Sequence, residues 1–153
     1  MTLTFTICTD TDVETIHTLV QDTIKAVYPK YYPAEVVDFF SVHHSRENIL
    51  HDIHENKVWV LCDDEICLGT GTVDGCHITR IFVHPKYQGC GYGKYIMNQL
   101  ENIVSLEHSH VEIDSSLPAA LFYEKLGYHT TTHGIIPVDN EKYLVYEIMK
   151  KNL

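Results

Sequence analysis

Hydrophobic spacing divides the first third of the chain into one strand and three helices. Residues 2–8 alternate between apolar and polar side chains, which is typical of a half-buried strand. Residues 13–27 then place their apolar side chains at helical spacing, and this pattern stops before Pro29. Pro33 favours the first turn of a second helix through about residue 42, and Ser45 predicts the cap of a short third helix.

Short β-rich runs replace the helical spacing after residue 56. Turn signals containing Asp and Gly separate the first three runs, which predicts an antiparallel meander. This order predicts an α/β (α+β) fold: a mixed, mostly antiparallel sheet with helices on both faces. The predicted elements are strands at 57–62, 66–73 and 76–84, a helix carrying Ile96, Leu100, Ile103 and Val104, a strand at 111–114, a helix at 118–126 and strands near 130–138 and at 143–149.

Composition adds the size and the charge. The 153 residues contain no repeat and no linker, so we predict one domain over residues 1–153. The net charge of −10 argues against nucleic acid or an anionic membrane as a partner, because both require a basic surface. A cationic substrate such as an amine fits this charge better.

The expected location is cytoplasmic. No apolar run approaches the roughly 20 residues of a membrane span, and the N-terminus lacks the features of a signal peptide. The five cysteines are an odd number without a Cys-x-x-Cys pair, which favours reduced thiols.

A turn with three alternating glycines, residues 88–94, carries the strongest chemical signal. It lies between a predicted strand and a predicted helix, where unpaired N–H groups and the helix dipole form an anion site. A P-loop is excluded because Gln88 and Tyr95 occupy its required Gly and Ser/Thr positions. The G-x-G-x-G spacing after an antiparallel meander also excludes a Rossmann fingerprint. A glycine turn without any ligand is the alternative interpretation.

Two motifs resemble those of the GNAT superfamily of N-acetyltransferases. The stretch Gln88-Gly89-Cys90-Gly91-Tyr92-Gly93 resembles the family's acetyl-coenzyme A motif, after a strand that ends Val-x-Pro. The stretch from Ala119 to Tyr128, AALFYEKLGY, resembles the second family motif. The resemblance is tight over residues 76–128 and elsewhere extends only to the order of elements.

The resemblance implies acetyl-coenzyme A as cosubstrate and a set of site residues. Backbone groups of Phe82 and Val83 would pair with the pantetheine arm, and Tyr123 would lie beside the thioester sulfur. Ser116 stands where the family often has Asn, so its contact with the pantetheine is shorter in reach. The pyrophosphate would be held by the N–H groups of Gln88, Gly89, Cys90, Gly91, Tyr92, Gly93 and Lys94.

Acetyl transfer to an amine requires a base, an oxyanion donor and an acid. A phenol of pKa about 10 is a workable donor to a thiolate of pKa about 8.5, so Tyr123 is the predicted general acid. A core aromatic with a backbone partner is the alternative for this residue. The N–H near Val83 is the expected oxyanion donor, and His77 is the predicted base, with Glu112 and Asp114 as alternatives.

Several properties stay open at this stage. The histidines at 43, 44, 51 and 54 could bind zinc, but a polar helix face explains them equally well, and we predict no metal. The acceptor is expected to be a small cationic amine, with a protein amine as the other option. A homodimer could form if the strand at 143–149 lies near the sheet edge. A non-catalytic coenzyme A-binding module of the same fold is the alternative function.

Overall fold

The computed structural model describes residues 2–153, which form one mixed sheet flanked by five α-helices. Within that range the helices are α1 (Val13–Val27), α2 (Ala34–His43), α3 (Arg46–His54), α4 (Tyr92–Val104) and α5 (Ala120–Lys125). The strands are β1 (Leu3–Ile7), β2 (Val58–Asp63), β3 (Ile66–Asp74), β4 (His77–Val83), β5 (His110–Ser115), β6 (His129–Pro137) and β7 (Tyr143–Asn152).

The sheet confirms the predicted fold class. Its seven strands lie in the order β1-β2-β3-β4-β5-β7-β6, and every neighbouring pair is antiparallel except β4 and β5. Residues 143–149 lie near one edge of the sheet, as predicted, but not at the edge itself. Strand β7 is inserted between β5 and β6, with Leu144 and Met149 buried, so β6 forms that edge of the sheet.

Helix α4 packs very closely on the centre of one sheet face. A Cβ at Gly69 would lie 2.7 Å from Ile96 Cδ1, and one at Gly71 would lie 2.5 Å from Leu100 Cδ1. Both glycines of β3 therefore allow the approach of α4. The opposite face carries α1 and α3, whose buried side chains include Ile16, Ile24, Ile49 and Ile53.

Strands β4 and β5 are joined at one end and separate at the other. In the part of the chain that the structure describes, their ladder has a single registered pair, His77 with Glu112. A register shift interrupts the pairing of β3 with β4 near Thr70, and Arg80 on β4 adopts a φ of 51°. Such bulges bend a strand and increase its twist. The result is a gap beside the end of β4, at Val83.

Candidate active site at the strand gap

The glycine turn leaves open space in front of the start of α4. Gly89 and Gly91 have φ values of 77° and 86°, a region that favours glycine, and an added Cβ at either would meet no atom within 4 Å. Helix α4 begins at Tyr92, so the N–H groups of its first turn have no partner inside the helix. The dipole and the free N–H groups together fit an anionic group such as a pyrophosphate.

Gln88 and Gly93 have structural functions in this turn. The Gln88 side chain donates from Nε2 to the Val83 carbonyl over 3.0 Å, which ties the turn to the end of β4. A Cβ at Gly93 would lie 3.1 Å from Phe122 Cζ and 3.8 Å from Val83 Cγ2. The end of β4, the start of α4 and helix α5 therefore meet at this point. Cys90 is exposed at the tip of the turn.

The main-chain direction of β4 assigns Val83, and not Phe82, to the gap. His84 N donates to Leu68 O over 2.9 Å, and backbone groups alternate in direction along an antiparallel strand. The N–H and C=O of Phe82 therefore point toward β3, while those of Val83 point into the gap. The expected backbone pairing by Phe82 is not supported, and this residue contributes its buried side chain instead.

Tyr123 is buried beside the gap without a hydrogen-bond partner for its hydroxyl. Its side chain packs edge-on against Phe122 and Tyr128, and only 6% of the residue is exposed. None of the hydrogen bonds found in residues 2–153 involves this hydroxyl, in contrast to the backbone partner expected of a core tyrosine. Burial, followed by the nearby Tyr28, raises the pKa of Tyr123, so the phenol stays protonated.

Two further tyrosines, Tyr28 and Tyr32, lie near Tyr123 and Ser116, and sequence reasoning missed both. Burial raises the pKa of Tyr28 to about 12 and also raises that of Tyr32, while contact with Ser116 partly offsets both shifts. The Leu117 N–H donates to the Tyr32 hydroxyl over 2.7 Å. Ser116 therefore lies against these phenols. Its contact with a pantetheine arm stays a prediction. The spacing of four residues between the two tyrosines was the available signal.

A buried network holds the bulge of β4 against α2 and α3. Arg80 donates from Nε to His44 Nδ1 over 3.1 Å and from Nη1 to Asp52 over 2.9 Å, with 7% of its side chain exposed. Burial, then the charges of Arg80 and His43, keeps the pKa of His44 well below its ordinary value. The neutral imidazole accepts at Nδ1, so its proton is on Nε2. The His44 ring packs on Phe82.

His77 lies at the joined end of β4, away from Tyr123. Its Nε2 is 2.9 Å from Glu112 Oε2, and 47% of its side chain is exposed. Six residue steps of about 3.3 Å each lead from His77 to Val83, a distance on the order of 20 Å along an unbent strand. The predicted base is therefore not brought into contact with the predicted acid. Asp114 also lies on β5 and is exposed.

The histidines of residues 43–54 point to different partners. His54 Nε2 lies 2.8 Å from Asp10 Oδ1, whereas His51 faces Asp52 and Glu55 on its own helix. His44 is held by Arg80, as described above. His44, His51 and His54 therefore have different partners, while the rings of His43 and His44 pack edge-on with centroids 4.9 Å apart.

Comparison with known proteins assigns the class. Residues 26–149 match the family described as the acetyltransferase (GNAT) domain, and the chain therefore belongs to this family of N-acetyltransferases. An uncharacterized acetyltransferase from Streptococcus pyogenes serotype M3 is 43% identical over 54 residues. That match covers 35% of this chain and 38% of the relative, so it spans well under half the length of either protein.

Solved structures share the fold over the whole chain. A GCN5-related N-acetyltransferase from Rhodopseudomonas palustris superimposes with a TM-score of 0.90 at 19% identity, covering 100% of this chain and 97% of the other. The PaiA N-acetyltransferase from Thermoplasma acidophilum, solved in complex with coenzyme A, gives a TM-score of 0.77 at 17% identity, with 100% of both chains covered. Among the helices of residues 2–153, none has the length and apolar character needed to cross a bilayer.

Proposed function

We propose that this chain transfers the acetyl group of acetyl-coenzyme A directly to an amine. The observation that carries the proposal is the gap at the end of β4, where three elements meet at Gly93. The Val83 backbone and the free N–H groups of α4 lie at this gap, and the packing of Tyr123 on Phe122, which lies against Gly93, supports the same position for its hydroxyl. Family membership supports the same cosubstrate, and so does the coenzyme A complex of the Thermoplasma acidophilum relative.

The glycine turn and the end of β4 would bind the pyrophosphate and the pantetheine arm of coenzyme A, respectively. The N–H groups at the start of α4 and the open space at Gly89 and Gly91 would hold the pyrophosphate. The C=O of Val83 would accept from an amide of the pantetheine arm, as in an added strand, with the lone pair that Gln88 leaves free. When bound, the cosubstrate supplies an activated acetyl group as a thioester.

The reaction forms an N–C bond and breaks a C–S bond. The amine attacks as the neutral species, because an ammonium has no lone pair. The Val83 N–H would donate to the carbonyl oxygen as negative charge develops there. Tyr123 would donate its hydroxyl proton to the departing sulfur, and the proton lost by the amine would restore the phenol through solvent.

The burial of Tyr123 affects how readily its hydroxyl can transfer a proton. Its raised pKa weakens the driving force for full proton transfer to a thiolate of pKa about 8.5 in water. The same burial would raise the pKa of the departing thiol, because a low-dielectric site disfavours both anions. We therefore propose that Tyr123 acts first as a hydrogen-bond donor to sulfur and transfers its proton late in the reaction.

The acceptor amine would enter between α1, α2 and β4. Tyr28 contacts Phe40 and Phe82, with ring centroids 4.8 and 6.2 Å apart, so this side of the gap is aromatic. Aromatic faces attract cationic groups and pack against alkyl chains. Together with the net charge of −10, they favour a small cationic amine over a protein amine.

The remaining assignments concern the base, the location and the oligomeric state. His77 would receive the amine proton only through a chain of water molecules, so it stays a prediction as the base. A cytoplasmic location is proposed because all five cysteines are free thiols. Any homodimer formed by strand addition would use an edge strand, β1 or β6, since β7 is interior.

The test is a calorimetric titration of the purified chain with acetyl-coenzyme A and, separately, with NADH and ATP. We expect micromolar binding of acetyl-coenzyme A alone, followed by thiol release when an amine from a panel is added. Absence of acetyl-coenzyme A binding would overturn the proposal. Binding without thiol release for any amine, including peptide N-termini, would instead favour the non-catalytic coenzyme A-binding module.

A further inference from the structure

Four side chains with metal-binding atoms meet at the joined end of β4 and β5. Ligand atoms of Cys76, His77 and Glu112 all lie within 4.8 Å of one another. Cys76 Sγ is 3.8 Å from His77 Nδ1 and 4.0 Å from Glu112 Oε2. The other Glu112 oxygen lies 3.8 Å from His110 Nε2, which adds a fourth group to the cluster.

The fold itself builds this cluster from two strands. The turn at Gly75, which has a φ of 62°, brings Cys76 to the start of β4, directly before His77. His77 stands opposite Glu112 in the parallel register, and the Glu112 N–H donates to the Cys76 carbonyl over 3.0 Å. His110 and Glu112 are two residues apart on β5, so they share one face of the sheet.

We propose that Cys76, His77, His110 and Glu112 bind a divalent transition-metal ion of the Zn²⁺ class. A thiolate, two imidazoles and a carboxylate are all ligands that zinc accepts in tetrahedral sites. Such a site places its ligand atoms about 3.3–3.8 Å apart, given zinc–ligand distances of about 2.0–2.3 Å. The contacts among these side chains span 2.9–4.0 Å, so closing the site requires side-chain rotations that let His77 coordinate through one ring nitrogen. Ca²⁺ and Mg²⁺ are disfavoured because both prefer oxygen ligands.

Hydrogen bonding alone does not explain the whole cluster. A His77–Glu112 pair would be complete without a thiol beside it, and Lys150 stands opposite Glu112 in the β5–β7 register. Yet Lys150 forms no ion pair with Glu112 in the described chain, and Glu112 faces the two imidazoles instead. A bound metal would link β4 to β5 beside their single registered pair. This inference does not depend on the proposed acetyl transfer.

Cobalt titration of the chain without a polyhistidine tag tests the proposal. We expect Co²⁺ to produce a thiolate-to-cobalt charge-transfer band that Zn²⁺ displaces, because cobalt reports tetrahedral thiolate sites. Cys76→Ser should abolish the band, and His110→Ala should weaken cobalt affinity tenfold or more. Cys90→Ser is the matched control, since Cys90 is an exposed thiol outside the cluster, and it should keep the band. A missing band in the wild type, or a band that survives in Cys76→Ser, would overturn the site.

Thermal unfolding supplies a second readout. Zinc should raise the melting temperature of the wild type, because a ligand that binds only the folded state stabilises it. An equal rise in Glu112→Gln would contradict the proposal. Gly91→Val separates this site from the cosubstrate site: it should lose acetyl-coenzyme A binding and keep the cobalt band. Failure of acetyl-coenzyme A binding in the wild type would leave the cobalt result unaffected.

Discussion

The two ends of the β4–β5 pair differ in how they satisfy their backbone and side-chain groups. At the joined end, His77 and Glu112 stand in register and the Glu112 N–H is bonded to the Cys76 carbonyl. At the open end, Val83 faces a gap rather than a strand, and its C=O accepts from the Gln88 side chain. Exposed polar side chains surround the first end, whereas buried tyrosines surround the second.

This difference indicates that the open end is built for a ligand with strand-like hydrogen bonding. Backbone groups shielded from water are normally paired, and leaving them unpaired costs free energy. Here the bulge at Arg80 turns β4 away from β5 before the strands can pair further. An extended molecule with amide groups, such as a pantetheine arm, would restore the missing hydrogen bonds.

The largest expected effect comes from blocking the glycine turn. Gly91→Val should weaken acetyl-coenzyme A binding at least about 100-fold, or about 2.7 kcal/mol, because the side chain would enter the space left for the pyrophosphate. Gly75→Val is the matched control: Gly75 also has a positive φ and open space around its Cβ position, but lies at the joined end. Calorimetry should show normal affinity in the control. An equal loss of affinity in both variants would mean that backbone strain, and not a blocked pyrophosphate site, causes the effect.

Tyr123→Phe should lower kcat about 100-fold, which is the size expected of a lost acid catalyst. The affinity for acetyl-coenzyme A should change little, since the hydroxyl acts on the departing sulfur. Because burial raises the pKa of Tyr123, the wild type should also show no alkaline loss of kcat from this group below about pH 10.

Tyr143→Phe, on an exposed tyrosine of β7, serves as the control for that substitution. Steady-state thiol release across a pH series provides the measurement. Unchanged turnover in Tyr123→Phe would mean that Tyr123 is a structural core residue of α5 and not the acid.

Arg80→Met tests whether the bulge depends on its buried ion pair. Removal of the guanidinium leaves Asp52 without its partner and should lower the free energy of unfolding by about 2 kcal/mol, less than for a fully buried pair because Asp52 is partly exposed. Arg46→Met, in the exposed pair with Glu14, should cause no measurable change. Urea denaturation of both variants gives the comparison. Equal stability of the two variants would mean that Arg80 does not hold the bulge.

Local signals made much of the fold predictable. The helices, the meander and the glycine turn depend on spacing and on neighbouring residues, and their predicted bounds agree with the structure within a few residues. The tyrosines around the gap could not be found in this way. Tyr28 follows the end of α1 and approaches Tyr123 of α5 only through tertiary packing, which depends on the strand order.

The bulge in β4 and the position of β7 could not be predicted from the sequence, because both depend on long-range contacts. Arg80 lies in a run that is otherwise typical of a strand, and its positive φ accompanies long-range contacts with His44 and Asp52. The position of β7 depends on a long-range choice between pairing at the edge and insertion beside β5. Neither the bulge nor the position of β7 changes the alternation of apolar and polar residues along the chain. The charged Arg80 within an otherwise strand-like run was a weak signal for the bulge.

The smallest expected effect is that of replacing His77. Its two possible functions, as the partner of Glu112 at the joined end or as the base for the open end, predict different changes in kcat. If the imidazole is only the partner of Glu112, His77→Ala in metal-free protein should change kcat less than about threefold, because the group lies far from Val83 along β4. If it receives the amine proton through water, kcat should fall tenfold or more, within the range of general-base catalysis. Thiol release measured at saturating amine decides between them, with His129→Ala, an exposed histidine at the start of β6, as the control. The first result would confine catalysis to the open end, because the joined end would then contribute no group to proton transfer.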